Sequence, residues 1–369
     1  MPSTPSIALA SSSAFTRFTL PVTASYNPAK SLYPAGIALR LEPADEYMHT
    51  LGPESTFNES MYFNLYDPAN GLGAFFRLGN RPNEGTGEMT VCIYLPDGRV
   101  AFMFDRPAVT TNDAFDAGGM RFEVLEPFTN LHVAYSGKAL VLTDPLQMSD
   151  PKAAFSSNPV VEARVDLAYE GLSPAFGGEP AEPHEAPGEE FARGHYEQLV
   201  SSSGTISLGS EAWDVSGFGL RDHSWGPRTW QAPWYYRWLT GNEGPSFGFM
   251  GSRIARRDGP GTRGGFVWEG ADLVLCDDCR VETTWKGGDR YHAEVDLELR
   301  SGARTWKAHG TVRSLVPLRN RRKAPSGEVL VTRISEGLTE WDLGGGRKAF
   351  GLAEYLDQIV DGAPAGLAE

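Results

Sequence analysis

A chain of 369 residues with 41% apolar and 22% charged residues has globular composition and length enough for two cores. Its formal charge of −14 is uneven: residues 1–190 hold 11 Lys/Arg against 24 Asp/Glu, and residues 191–369 hold 22 against 23. An acidic first half argues against nucleic acid or an anionic membrane as partner, and no apolar run reaches the ~18–20 residues of a spanning helix.

Residues 1–13 are small and polar and lack the basic start of a secretory signal, which predicts a frayed tail of a cytoplasmic protein. Short segments suited to strands follow at 61–66, 73–78, 89–95, 99–104, 121–125, 131–135 and 161–167. The last alternates strictly between apolar and charged residues, so one face is buried and the other wet. Pro96-Asp97-Gly98 predicts a hairpin, with Pro setting φ and Gly accepting a positive one. Residues 171–190 are rich in Pro, Gly and Glu. They predict a linker at 176–190 between an N-terminal β-barrel domain, 14–175, and a C-terminal one, 191–369. Strands are expected again at 234–239, 246–254, 281–285, 293–299, 329–334 and 349–355, with turns at Gly287-Gly288, Ser301-Gly302 and Gly344-Gly345-Gly346. Helical turns are expected only near 111–117 and after Leu356. The pattern predicts an all-β protein, an antiparallel barrel or sandwich in each half.

The densest chemistry lies in Arg221-Asp222-His223-Ser224-Trp225-Gly226-Pro227-Arg228 and the aromatic run that follows it. Asp222 beside His223 offers an acid or base at neutral pH. Arg221 and Arg228 suit an oxyanion or a buried pair with Asp222, and Tyr236 adds a hydroxyl. Trp225, Trp230, Trp234 and Trp238 suit an apolar skeleton or a developing cation. Polar groups among this many rings are costly without a use, although a purely structural corner would hold the same residues. Elsewhere, Glu59, Tyr62 and Arg77 form a charge pair beside an aromatic strand, for which structural roles are favoured. Tyr62 and Arg77 are also substrate-binding candidates. Glu354 and Tyr355 lie on the closing strand, where Glu354 and Asp357 face opposite sides. His195 and Tyr196 are further cavity candidates.

The segment Gly219-Leu220-Arg221-Asp222-His223-Ser224-Trp225-Gly226-Pro227-Arg228 resembles a bacterial branch related to the carotenoid 1,2-hydratase and AttH-like group. The resemblance is strongest over 195–260 and extends to 59–64, 76–83 and 351–358. It implies two lipocalin-like β-barrels, a fold that fungal Diels–Alderases share. In the carotenoid hydratases a His-x-Trp pair contributes to the active site, and His223-Ser224-Trp225 has that spacing. The companion Tyr-x-Asp does not occur near 247–253; Tyr355-Leu356-Asp357 has those residues much further on. That departure argues against a carotenoid as substrate.

Three other signals carry less. Cys276-Asp277-Asp278-Cys279 lacks a second ligand pair, which predicts a strand-end turn rather than zinc, and three cysteines make no disulfide framework. Arg319, Arg321, Arg322 and Lys323 predict a solvated loop. His292 and His309 alternate with apolar neighbours and are expected to face solvent. No nucleotide or hydrolase motif occurs. These features predict a lyase or hydratase that needs no cofactor and no metal. It would act on a hydrophobic small molecule such as a terpenoid, a polyketide or a lignin-derived aromatic. A non-catalytic carrier, or an isomerase or cyclase of the Diels–Alderase type, is the alternative. A homodimer stays open.

Overall fold

The computed structural model describes residues 39–181, 192–258, 261–324 and 326–368. The expected tail at 1–13 and the linker residues 182–190 lie outside the described residues. Among the described residues every strand pairing is antiparallel, in two sheets of 12 and 10 strands. In the first sheet, Phe57–Asp67, Leu72–Arg81, Thr86–Tyr94, Val100–Asp105, Asn130–Leu142 and Val160–Gly171 pair in turn. Gly194–Leu208 joins Val160–Gly171 to Glu211–Pro227, which pairs back to Phe57–Asp67 and closes an eight-stranded barrel. The second sheet, from Tyr235–Gly244 onward, is an open path that curls over its own core. The all-β, lipocalin-like expectation holds.

Two expectations differ from what is observed. Strand pairing moves the division between the sheets from 176–190 to 228–234. The reason is edge satisfaction: without residues 194–227 the first sheet would keep two unpaired edges. The Arg221–Arg228 motif lies mostly along the last residues of one 17-residue strand, Glu211–Pro227, where alternation governs every side chain. Residues 111–117 contain the strand Phe115–Ala117, and a helix forms instead at Pro151–Ser157, where Asp150 accepts from the Ala153 N–H.

Alternation produces three apolar layers. Met61, Phe63, Phe122, Val133 and Val200 fill the first barrel, and Leu239, Phe249, Val295, Trp341 and Tyr355 fill the second. Between them lies a layer drawn from both sheets, with Tyr62, Phe75, Leu199 and Leu220 from one side and Tyr236, Trp238, Ile334 and Leu356 from the other. Gly219 helps to tie it. Asn64 Oδ1 accepts from the Leu220 N–H at 2.8 Å, and Asn242 Nδ2 of the second sheet donates to the Gly219 carbonyl at 2.9 Å. A Cβ at Gly219 would lie 2.0 Å from the Asn64 carbonyl oxygen. Gly219→Ala should therefore cost about 2–3 kcal/mol by forcing strands apart. An unchanged urea midpoint would refute that packing.

Candidate functional site

The Glu211–Pro227 strand sends its motif residues to two different places. Arg221, His223 and Trp225 point into the first barrel, paired across the ladder with Phe63, Met61 and Glu59. Asp222 points outward with Leu220, into the layer between the barrels. The expected Asp222–His223 pair therefore does not form, because adjacent residues of a strand face opposite sides.

Inside the barrel most of the polar groups bond one another, while His49 Nε2 and Trp225 Nε1 are buried without a hydrogen bond. Arg221 donates through both terminal nitrogens to Glu46, and through Nε to Gln198 at 2.9 Å; Arg221 and Glu46 side chains are fully buried. Burial pushes the Glu46 carboxyl up, but the charge and hydrogen bonds of Arg221, together with smaller help from His223 and Tyr196, outweigh it and hold the group below its ordinary range. Glu59 receives His223 Nε2 at 3.0 Å and His49 Nδ1 at 2.7 Å, and Asn112 donates to its other oxygen. Burial opposes ionisation there too, yet hydrogen bonds from both imidazoles hold Glu59 at about 2. Tyr196 contacts His223 Nδ1 at 3.3 Å, and the Trp225 ring stacks on His49 at 3.9 Å. His49, Glu59 and His223 present ligand atoms within 4.8 Å of one another, a donor set a divalent cation could use. Hydrogen bonds already join the three.

The cavity lies on the other face. Its volume is about 240 Å³, and its wall includes Asp222, Arg228, Trp230, Tyr236, Glu354, Arg77 and Tyr62. Gly226 turns the chain toward it: φ is +107°, and a Cβ would meet Arg193 backbone at 2.8 Å. Pro227 then ends the strand, which delivers Arg228 and Trp230 to the wall. Both Arg77 and Arg228 lie over the Trp230 ring, at 5.3 and 5.6 Å. Burial, then the neighbouring Arg77 charge, pushes Arg228 down to about 10. Arg77 Nη1 donates to Glu88 at 3.3 Å, while its Nη2 is buried without a hydrogen bond.

Two carboxyls face each other on the cavity wall. Glu336 and Glu354 are directly opposed on the hairpin strands Val329–Asp342 and Lys348–Val360, and Glu336 Oε2 is buried without a hydrogen bond. Burial, then the Glu354 charge, pushes Glu336 well above the ordinary carboxyl range. Burial also raises Glu354, against the hydrogen bond that Tyr236 donates to it. Two like groups opposed in an apolar layer each make the other harder to ionise.

Asp222 does have a histidine partner, which is His195. His195 Nε2 lies 3.9 Å from Asp222 and 3.6 Å from Glu197. Burial lowers its pKa, but the neighbouring Asp222 and Glu197 carboxylates outweigh that and raise it. Burial pushes Glu197 up to about 7, although Trp238 Nε1 donates to it at 2.7 Å.

Of the other expected residues, Trp238 lies in the layer between the barrels and packs on Tyr62. Trp234 lies off the cavity, under Arg257. Tyr355 faces the second core, stacked on His292 at 4.0 Å, and Asp357 pairs with buried Arg237. His292 is buried rather than solvent-facing, because its Nε2 bonds the Ala353 carbonyl oxygen at 2.9 Å. His309 is exposed as expected, and Cys276 and Cys279 are buried thiols flanking a turn between strands. The basic run is no loop: Arg319 and Arg321 end the strand Arg304–Lys323 at the cavity. Glu336 is the residue the sequence did not bring forward.

Residues 42–359 match a family model described as a domain of unknown function, DUF7064. The chain belongs to the DUF7064 family. Among solved structures, this DUF7064 protein is similar to kievitone hydratase from Nectria haematococca. That match has 8% identity and a TM-score of 0.51, over 89% of this chain and 95% of that one. It is also similar to an AttH-like protein of Nitrosomonas europaea, at 13% identity and TM-score 0.49 over 89% and 98% of the two chains. CghA matches at 12% identity and TM-score 0.48 over 89% and 97%. No curated protein matches the sequence. At 8% identity the kievitone hydratase likeness supports the two-barrel fold and nothing finer.

Proposed function

We propose that this DUF7064 protein is a hydratase-type lyase that moves protons on an apolar ligand in the cavity between its barrels. The observation that carries the reading is the opposed pair Glu336–Glu354 within an aromatic wall. A carboxylic acid kept protonated at neutral pH by burial and a like neighbour is equipped to protonate a leaving hydroxyl. In the elimination direction Asp222, with His195 behind it, takes a proton from carbon. The electron pair forms the double bond, the carbon–oxygen bond breaks, and Glu336 supplies the proton that completes water. Addition is the reverse. Loss of a small carbonyl fragment such as formaldehyde would use the same groups, and Arg77 with Arg228 would stabilise negative charge developing on a substrate oxygen. Trp230, Tyr62 and Tyr236 hold the skeleton. His223 and Arg221, expected as catalytic groups, become supports of the first barrel in this reading.

The test is mass spectrometry of a lipophilic extract from producing cells, incubated with purified protein. A compound should change by one water or one formaldehyde. Asp222→Asn and Glu336→Gln should each slow that change by roughly 10²–10⁴-fold. His223→Ala should keep most turnover in its folded fraction. If a ligand co-purifies and stays unaltered through long incubation, the protein is a carrier.

A further inference from the structure

Five residues of the cavity lining are exposed: Phe104, Arg106, Phe155, Arg319 and Arg321. They form the mouth, and none is acidic. The deeper lining differs, with Tyr62, Phe75, Phe102, Trp230 and Ile334 around the carboxyl pair. Arg106 lies 3.7 Å from Glu88, a loose pair. Among the described residues, no carboxylate is paired with Arg319 or Arg321. In a protein of net charge −14, two exposed arginines at alternate positions of one strand, on the same face and lining the mouth with no paired acid, offer an anion a site.

We propose that the ligand is an amphipathic carboxylate. Its apolar ring system enters between the barrels, and its carboxylate stays at the mouth, bound by Arg319 and Arg321 with Arg106 alongside. This rests on the cavity being the ligand site and adds the chemical class. Guanidinium recognises carboxylate by paired N–H donors, and the flanking Phe104 and Phe155 cover the first apolar atoms inward of the head group. The head group also fixes how far the ring system reaches toward Glu336, so the mouth sets register as well as affinity.

Two probes of the same shape separate charge from apolar fit: 2-naphthoate and 2-naphthalenemethanol, titrated by naphthalene fluorescence at low and high salt. Wild-type protein should bind the carboxylate roughly tenfold more tightly than the alcohol, with the preference shrinking as salt rises. The exposed double variant Arg319→Ser/Arg321→Ser should lose the preference while binding the alcohol as before. Equal wild-type affinities, or a preference kept by the double variant, overturn the carboxylate proposal and leave the cavity reading standing. A cavity-filling Ile334→Trp variant tests that reading separately. If neither probe binds wild type, or both bind Ile334→Trp unchanged, the cavity reading falls and the carboxylate proposal with it.

Discussion

Arg221→Ala should destabilise the protein by about 3–5 kcal/mol, read as a lower urea midpoint for the first barrel. The side chain is fully buried, and its guanidinium is the cation that Glu46 faces. Removing it strands an ionised carboxyl in the barrel interior and leaves the Gln198 carbonyl oxygen without its donor. Stranding one charge costs far more than the pair contributes, because two buried ions mostly repay each other's desolvation. A double variant, Arg221→Met with Glu46→Leu, should therefore recover most of the loss. Binding of 2-naphthalenemethanol by folded Arg221→Ala should be unchanged, since the residue faces away from the cavity. A variant as stable as wild type, or one that stays folded and loses the ligand, would contradict the structural role assigned to Arg221.

Glu336→Gln should do the opposite, raising stability by about 1–2 kcal/mol near pH 7 while cutting turnover. The sign follows from linkage. The folded-state pKa of Glu336 is raised well above its ordinary value of 4.5, so between those two values the folded protein holds a proton that the unfolded chain has released. The group's stabilising contribution is whole below about pH 4.5 and is lost as pH rises toward the folded pKa. Glutamine removes that loss, so the variant should match wild type near pH 4 and gain on it as pH rises. Glu46 and Glu59 have the reverse sign. Their folded pKa values are depressed, so stability present above about 4.5 is lost as pH falls through the folded values, which for Glu59 is about 2. Wild-type denaturation midpoints should therefore fall at both ends, with only the high-pH fall relieved by Glu336→Gln. A parallel pH curve for the variant would mean that burial does not raise the Glu336 carboxyl.

Much of the site was legible from local pattern. Seven of the named residues reach the cavity, because Arg221–Arg228 carries its chemistry on a strand and the aromatic run begins just beyond the Gly226-Pro227 turn. The split between Asp222 and His223 was legible too, since a period of two separates neighbours whatever the fold. Glu336 was within reach by counting. It and Glu354 each lie nine residues from Gly345 at the centre of the triple-glycine turn, so hairpin register alone opposes them.

What the residues determined by themselves was the β class, the turns and which side chains share a face, because steric alternation and turn chemistry act over a few residues. Which face became core and which became cavity was decided by tertiary closure. Only once residues 194–227 complete the first barrel does His223 fall inside it and Asp222 outside, and only packing against the second sheet brings Arg77, Glu336 and Arg319 to one hollow. Those contacts join segments more than a hundred residues apart, and local periodicity carries no record of that distance.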